Sequence, residues 1–261
     1  QRLLVPRQAV AISPDGTRIV YAADNRLYQR PMSSLEATAI AGTEGALNPM
    51  FSPNGEELAF WADSSLKRIA IGGGVPVTIS RGGQGPTGGW WGRDGIMFAL
   101  GGIGIVRVSP EGGTLTTLIP IDNAVGRADS PQMLPDGRTV LYTLLDEEAF
   151  YDNRWESARI VVQSLDGGER KTIIEGGSDA RYVPTGHIVY VLRGTLLAVP
   201  FDLATLNPTG GHVPVIDGVR RSAAAVAGAA QFAFSDTGSM VYVPGPMSEQ
   251  EAVFIYDRQG V

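Results

Sequence analysis

The chain of 261 residues carries 21 basic and 27 acidic side chains, a formal net charge of −6, and contains no cysteine. These counts exclude a disulfide scaffold, thiolate metal ligands and thiol catalysis, and the evenly spread acidic charge argues against binding to nucleic acid or an anionic membrane surface. The length fits about two average domains, although a single all-β domain can also reach it.

A turn motif that recurs six times organises the predicted elements. In chain order its copies read Ser13-Pro14-Asp15-Gly16, Ser52-Pro53-Asn54-Gly55, Gly92-Arg93-Asp94-Gly95, Leu134-Pro135-Asp136-Gly137, Val183-Pro184-Thr185-Gly186 and Ser235-Asp236-Thr237-Gly238. Proline presets φ, aspartate or asparagine bonds back to the backbone, and glycine accepts positive φ, so each copy predicts a tight hairpin turn. The final glycines are 39 to 52 residues apart, which indicates a structural repeat.

Each motif begins a run of short predicted strands. The strand after it is rich in β-branched and aromatic residues, as at residues 19–21 and 140–142. A third strand follows, for example at residues 160–163, and a polar turn leads to a fourth, for example at residues 77–79. Four strands of about 5 residues with their connections account for roughly 40 residues, so each unit is predicted to be a four-stranded antiparallel meander.

The repeat predicts the fold class. A lone meander cannot bury both apolar faces, and units of about 40 residues that stack radially are typical of propeller blades. We therefore predict an all-β protein, a six-bladed β-propeller with four-stranded antiparallel blades, in which residues 1–261 form a single domain. The predicted blade turns lie at Gly16, Gly55, Gly95, Gly137, Gly186 and Gly238.

The two ends of the sequence predict how the ring closes. After Gly238 only 23 residues remain, too few for a complete blade, while residues 1–7 belong to no repeat. We expect Leu3, Leu4 and Val5 to supply the missing outer strand of the last blade, which would remove an exposed edge. The alternative is a chain cut through a longer propeller array. Because Gln1 is followed directly by strand-like sequence, we recognise no signal peptide, and a mature chain and an excised piece are both consistent with this start.

Several segments resemble a known family. Residues 11–21 (AISPDGTRIVY) and 51–60 (FSPNGEELAF) are similar to TolB-type propeller repeats. Residues 73–76 (GGVP), 89–95 (GWWGRDG) and 131–137 (PQMLPDG), with LAVPFD at 197–202, more narrowly resemble the propeller that follows the kinase domain in bacterial receptor-like Ser/Thr kinases. The resemblance spans essentially the whole chain, although the fifth and sixth motifs have threonine where aspartate is usual.

The resemblance implies a non-enzymatic binding or sensor module. It would be the extracytoplasmic part of such a kinase or a free-standing relative, in the periplasm or outside the cell. The chain has no Gly-rich phosphate loop over a catalytic lysine and no His-Arg-Asp triplet, so any kinase activity would lie outside it. The expected partner is a protein or small-molecule ligand, without nucleic acid, and the expected state is a monomer. No apolar run approaches the roughly 20 residues of a membrane-spanning helix.

Residues suited to catalysis or metal binding are few. His187 and His212 are the only histidines, and both lie at predicted turns, where a solvated or structural role is expected. We predict no catalytic residue, no metal ligand and no cofactor. One Ca²⁺ alternative remains, because the longest predicted insertion contains Asp146, Glu147, Glu148, Asp152 and Glu156. These carboxylates lack the alternating spacing of a Ca²⁺ loop, so a solvated tip is the preferred interpretation.

Propeller geometry predicts a candidate binding face. The loops between blades share one face, and the insertions at residues 82–88, 122–130, 145–157 and 218–230 belong to it. The candidate ligand-binding residues at the channel mouth on that face are Gln8, Asn48, Thr87, Ser130, Asp179, Arg181 and Gln231. The candidate partner-binding residues are Phe150, Tyr151 and Trp155, expected as an exposed aromatic tip, with Arg220 and Arg221. The competing interpretation is that the polar residues hold only water and that Trp155 packs onto its blade.

Two other functions remain open at the level of sequence. One is a metal-dependent propeller enzyme, lactonase-like or lyase-like, with its site at the channel mouth. The other is a TolB-like scaffold for protein interactions in the cell envelope.

Overall fold

The computed structural model describes residues 7–82, 85–146, 154–222 and 227–245. In this part of the chain the regular structure is β-strand apart from one 3₁₀ turn, Arg154–Glu156. Each blade is a sheet in which strands that follow one another in sequence pair antiparallel. The prediction of an all-β propeller with four-stranded meanders is confirmed.

The first three blades have the same order of strands. The first contains β1 (Val10–Ile12), β2 (Arg18–Ala23), β3 (Arg26–Pro31) and β4 (Thr38–Ala39). The second contains β5 (Leu47–Phe51), β6 (Glu57–Ala62), β7 (Ser65–Ala70) and β8 (Val77–Arg81). The third contains β9 (Gly89–Gly92), β10 (Gly95–Leu100), β11 (Gly104–Val108) and β12 (Thr116–Pro120).

The remaining strands form two further blades and a smaller sheet. The fourth blade contains β13 (Arg127–Met133), β14 (Thr139–Leu145), β15 (Arg159–Ser164) and β16 (Lys171–Glu175). The fifth contains β17 (Ser178–Val183), β18 (His187–Leu192) and β19 (Thr195–Asp202), whose outer edge is shared by β20 (Asn207–Pro208) and β21 (Val213–Ile216). A two-stranded sheet follows, with β22 (Phe232–Phe234) and β23 (Met240–Tyr242).

The predicted number of blades, six, is wrong. The described residues form five four-stranded blades, and the sixth copy of the turn motif joins only the two strands of the β22–β23 sheet. The physical reason is that the motif encodes a hairpin, and a hairpin needs two strands rather than four. The predicted closing strand, Leu3, Leu4 and Val5, lies outside the described residues, so the mode of closure stays a prediction.

The turn motif forms the hairpins that the sequence predicts. In the first copy the backbone N–H of Gly16 donates to the carbonyl of Ser13 at 2.8 Å, and Gly16 has φ of +75°. The Asp15 carboxylate accepts hydrogen bonds from the hydroxyls of Ser13 and Thr17. Hydrogen bonding to Ser13 and Thr17 lowers the pKa of Asp15 to about 2, which shows how strongly this turn favours the charged carboxylate.

The smaller sheet lies between the fifth blade and the first. The N–H of Asp236 donates to the carbonyl of Pro14 at 2.9 Å, which joins the sixth turn to the first. On the other side, the N–H of Arg220 donates to the carbonyl of Val243 at 2.9 Å. The five blades and the β22–β23 sheet therefore surround a central channel, with the first strand of each sheet innermost.

The apolar core consists of layers between neighbouring sheets. Val20 and Leu27 of the first blade pack with Leu58 and Phe60 of the second, and each later pair of sheets repeats this arrangement. Burying one such side chain contributes about 1.5 to 3 kcal/mol, so the sheets hold one another in place and fix the channel walls. No helix in the described part of the chain is long and apolar enough to span a membrane.

Candidate functional site

A cavity of about 720 Å³ occupies the centre of the propeller. Its walls are the innermost strands, and its mouth lies among the turn motifs. The mouth residues contributed by the six motifs are Pro14, Pro53, Arg93, Asp94, Pro135, Pro184 and Asp236. The cavity therefore opens on the turn face, opposite the loop face on which the sequence placed the candidate site.

The cavity lining combines apolar side chains with polar groups in similar amounts. Met50, Trp90, Met133 and Tyr182 line the walls among the backbones of the inner strands. Gln8 and Arg181 also line the cavity and provide polar groups towards the loop face, and Gln132 adds an amide group on the wall. Apolar side chains with a few convergent polar groups are the usual lining of a ligand-binding site.

The side chain of Gln132 joins two inner strands across the channel wall. Its Nε2 donates to the carbonyl of Tyr182 at 3.1 Å, and its Oε1 accepts the N–H of Tyr182 at 2.7 Å. The inner edge of β17 would otherwise present this peptide group unpaired to the channel. One amide side chain therefore satisfies the strand edge and fixes the spacing of the fourth and fifth blades.

The indole of Trp90 lies over Gly92 on the same strand. A Cβ atom at Gly92 would overlap Cη2 and Cζ3 of Trp90, closer than any real contact. Residues two positions apart share one face of a strand, so the missing side chain of Gly92 leaves the space that the indole fills. The half-buried position of Trp90 on the cavity wall therefore depends on Gly92.

Replacing Gly92 by Ala is expected to lower the free energy of unfolding by about 1 to 3 kcal/mol, because Trp90 must leave its position. Urea denaturation followed by tryptophan fluorescence measures both the stability and the change around the indole. Gly72→Ala is the matched control, since a Cβ there meets nothing within 4 Å. Equal stability of the two variants would contradict the assigned position of Trp90.

Arg181 lies at the floor of the cavity, and its side chain is 15% exposed. Its Nη2 pairs with Oδ1 of the fully buried Asp179 at 2.7 Å. Its Nη1 donates to the carbonyl of Ser130 at 2.9 Å, and Gln8 Oε1 lies 3.4 Å from Nη2. The charge at the floor is thus paired, and Arg181 connects the cavity to a buried polar cluster behind it.

The structure brings the predicted channel-mouth residues together as contacts between blades. The N–H of Asn48 donates to the carbonyl of Gln8 at 3.1 Å, and the N–H of Ser130 donates to the carbonyl of Thr87 at 3.0 Å. Gln231 Oε1 accepts the N–H of Ala9 at 2.7 Å. Asn48, Thr87, Ser130, Asp179 and Gln231 are all buried. Their observed contacts hold the inner strands together, and their role in ligand binding stays a prediction.

Asp129 is a buried acidic residue that the sequence reasoning missed. Its Oδ1 accepts the hydroxyl of Ser130 at 2.6 Å, and its Oδ2 accepts the N–H of Gly228 at 2.9 Å. Burial, with repulsion from Asp179, raises the pKa of Asp129 to about 7. Two consecutive polar residues, Asp129 and Ser130, at the end of the predicted insertion 122–130 were the sequence signal for it.

Trp155 is not exposed at an aromatic tip; it clusters with Leu145 and Ala158 of its own blade, which agrees with the competing interpretation. Trp155 is 6% exposed and packs over Gly228, where a Cβ would lie 2.6 Å from Cε3 of the indole. Gly228 follows the fifth blade in sequence and Trp155 belongs to the fourth, so burying the indole joins two loops of the same face. Phe150 and Tyr151 lie outside the described residues.

Of the two predicted arginines of the loop face, Arg221 is held within the protein and Arg220 is half-buried. Arg221 pairs with Glu156 and donates to Ser178 Oγ at 2.6 Å. Burial lowers the pKa of Arg221, while the charge of Glu156 opposes this shift. Arg220 lies beside Gly245, where a Cβ would be 2.6 Å from its Nε. The observed contacts of Arg221 are internal ones.

The acidic insertion does not gather into a metal site where it is described. Asp146 pairs with Arg159, and Glu156 pairs with Arg221, while Glu147, Glu148 and Asp152 lie outside the described residues. His187 bonds to Thr185, and Nδ1 of His212 lies 2.9 Å from the hydroxyl of Tyr190. Over residues 7–82, 85–146, 154–222 and 227–245, no three His, Cys, Asp or Glu side chains form a group that could hold a metal ion.

Comparison with solved structures shows the fold. The chain is similar to a putative TolB from Agrobacterium tumefaciens, with a TM-score of 0.66 and 17% identity over 91% of this chain and 90% of that one. It also resembles hydrazine synthase from Kuenenia stuttgartiensis, with a TM-score of 0.56 and 12% identity over 92% and 96% of the two chains. An oligogalacturonate lyase from Vibrio parahaemolyticus gives a TM-score of 0.55 and 12% identity, covering 88% of this chain and 72% of that one.

These likenesses are structural ones. No family model matches the sequence, and no curated protein matches it. At 10 to 20% identity, the shared feature is the β-propeller fold, and proteins with one fold carry out unrelated functions.

Proposed function

We propose that this chain is a non-enzymatic binding module that holds its ligand in the central cavity at the turn face. The observation that carries the proposal is the cavity of about 720 Å³, with apolar side chains around Trp90 and polar groups at Gln8 and Arg181. Its volume lies within the range typical of ligand sites. The rigid stacking of the sheets supports a preformed site, which keeps the entropic cost of binding low.

The proposed setting is the extracytoplasmic side of a bacterial cell. The TolB-like fold and the resemblance of residues 89–95 and 131–137 to kinase-associated propellers support a sensor domain of a receptor-like Ser/Thr kinase, or a free-standing relative. The ligand would be a protein segment or a small molecule, and the chain would act as a monomer. If the ligand is a protein, the same proposal describes a TolB-like scaffold for envelope proteins.

A metal-dependent enzyme is the second candidate, and the likeness to an oligogalacturonate lyase is the observation that favours it. A thermal shift measured with Ca²⁺, with Mn²⁺ and with chelator separates the two proposals. A metal-dependent enzyme predicts stabilisation by one of these ions and turnover that chelator abolishes, whereas a binding module predicts neither.

The proposed cavity site predicts a specific loss of binding in a cavity variant. Ligands for the purified chain would be selected from a phage-displayed random peptide library and, by thermal shift, from a library of cell-envelope metabolites. Trp90→Ala is expected to weaken a selected ligand at least about tenfold, since aromatic anchors often contribute 2 kcal/mol or more. Isothermal titration calorimetry measures the affinity.

Leu35→Ala is the matched control, because Leu35 is 91% exposed and does not line the cavity. It is expected to change the affinity less than about twofold, as surface substitutions usually have small effects. Circular dichroism melting curves check that both variants are folded. Selected ligands that bind Trp90→Ala and Leu35→Ala equally well would contradict a site in the cavity.

A further inference from the structure

Two buried carboxylates behind the cavity floor share one covering segment. Asp129 on β13 and Asp179 on β17 are both 0% exposed. The N–H of Gly228 donates to Asp129 Oδ2 at 2.9 Å, and the N–H of Ala230 donates to Asp179 Oδ2 at 2.8 Å. We call residues 227–230, which make both bonds, the cover segment. It lies between the two carboxylates and the loop face.

The charged groups around the pair come from four parts of the chain. They are Arg181 on β17, Arg221 and Arg7 from the loop face, and Glu156 from the 3₁₀ turn. Arg181 forms an ion pair with Asp179, and Arg221 forms one with Glu156. Arg7 donates to the carbonyl of Pro86.

Asp129 differs from Asp179 in having no direct ion pair within the described residues. Its hydrogen-bond partners are the Ser130 hydroxyl and the Gly228 N–H, while Arg7, Arg181 and Arg221 act on it only through space. A buried carboxylate without a direct counter-ion is costly in its charged form. The neutral form fits the same site, because a protonated Oδ1 can donate to Ser130 Oγ while Oδ2 still accepts the N–H of Gly228.

We propose that residues 227–230 form a proton-controlled cover on the loop side of the channel, closed when Asp129 is protonated and opening more readily once Asp129 loses its proton. Opening admits water to Asp129, so the open state carries the charge at little cost. The closed state must instead keep the charge buried beside Asp179. Proton release is thereby linked to opening, and the linkage sets the direction of the pH effect.

The sign follows from the two states of Asp129. Burial is the main cause that raises its pKa in the closed state to about 7, and repulsion from Asp179 adds to it, while the bonds from Ser130 and Gly228 lower it. In the open, hydrated state the pKa should return to its usual value of about 4. The closed state is therefore fully stabilised below pH of about 4, and this stabilisation is lost as the pH rises to about 7.

Hydrogen exchange of the Gly228 and Ala230 amides tests the proposal. After correction for the intrinsic exchange rate, the protection of both amides should fall by up to about tenfold per pH unit between pH 5 and 7, because opening releases one proton. The amide of Leu165, bonded to the carbonyl of Arg138 at 2.8 Å on the turn face, is the internal control: exchange through opening of its own turn should give protection that does not depend on pH.

Two variants make the test specific to Asp129. In Asp129→Asn the amide cannot titrate, and its oxygen and NH₂ can occupy the positions of a protonated carboxyl, so protection at Gly228 should no longer depend on pH. In Ser130→Ala the bond that lowers the pKa of Asp129 in the closed state is lost, so the fall in protection should continue to higher pH than in the unaltered protein. Protection that is independent of pH in the unaltered protein, or that falls equally in Asp129→Asn, would overturn the proposal.

Discussion

Replacing Asp179 by Asn is expected to lower the free energy of unfolding at pH 7 by about 3 to 5 kcal/mol. The reason is that Arg181 keeps its charge in a site that is only 15% exposed, while its partner at 2.7 Å is gone. Removing one member of a buried ion pair leaves the other uncompensated, which costs far more than the pair contributes when intact. The Asn side chain can still accept the N–H of Ala230, so the lost stability reflects the missing carboxylate charge rather than a missing hydrogen bond. Urea denaturation gives the free energy.

Two further variants separate the unpaired charge from a general effect of substitution. Asp94→Asn changes an exposed carboxylate of the third turn motif and is expected to alter stability by less than about 0.5 kcal/mol. Adding Arg181→Met to Asp179→Asn removes the orphaned charge and should recover most of the lost stability. If Asp179→Asn were no less stable than Asp94→Asn, the ion pair would not hold the floor of the cavity.

Replacing Asp129 by Asn is expected to stabilise the protein at neutral and alkaline pH while leaving it almost unchanged near pH 4. The folded-state pKa of about 7 exceeds the usual value of an unfolded aspartate, so the folded protein binds the extra proton. Asp129 makes its full contribution to the free energy of unfolding below about pH 4. This contribution is lost as the pH rises to about 7, at about 1.4 kcal/mol per pH unit. Asp129→Asn escapes that loss, which amounts to about 4 kcal/mol in total.

Denaturation curves at several pH values between 4 and 8 measure this difference. The difference in free energy between Asp129→Asn and the unaltered protein should grow across the range and level off above about pH 7. Asp94→Asn should give a curve parallel to that of the unaltered protein, since its carboxylate is exposed. An Asp129→Asn chain less stable than the unaltered protein at pH 8 would show that the ionised carboxylate is the favoured form.

The hairpins could be predicted because their information is local. Pro14, Asp15 and Gly16 fix a tight turn through their own backbone preferences and side-chain bonds. The backbone bond from the last residue of the motif to its first recurs at Gly55, Gly137, Gly186 and Gly238, each with positive φ. Alternation of large apolar residues around those turns then predicts strands and, through the repeat length, radial stacking. None of these steps requires contacts between residues distant in sequence.

The number of blades could not be counted from the same motif. The sixth copy at residues 235–238 forms its turn as the others do, but the described residues add only β22 and β23 to it. A turn motif specifies the two strands that it joins. The outer strands of a blade depend instead on pairing partners that lie outside the motif. The count of motifs therefore exceeded the count of four-stranded blades.

The candidate site was predicted only in part. Polar residues at the start of each inner strand, among them Asn48, Ser130 and Asp179, were identified from their positions in the repeat, and the structure brings them together. The burial of Trp155 against Gly228 was not predictable, because an aromatic residue in an insertion is compatible with either exposure or packing. Asp129 was missed because its environment comes from Asp179 and Gly228, which are distant in sequence.

The sequence by itself determined the class of fold, the hairpins and a composition without cysteine and with two histidines, because composition and turn chemistry act over a few residues. The tertiary structure alone decided the number of four-stranded blades, the opening of the cavity at the turn face and the burial of Asp129 beneath residues 227–230. These features depend on which distant strands meet and how much water they exclude, and desolvation of a charge depends on the whole surrounding volume rather than on its neighbours in sequence.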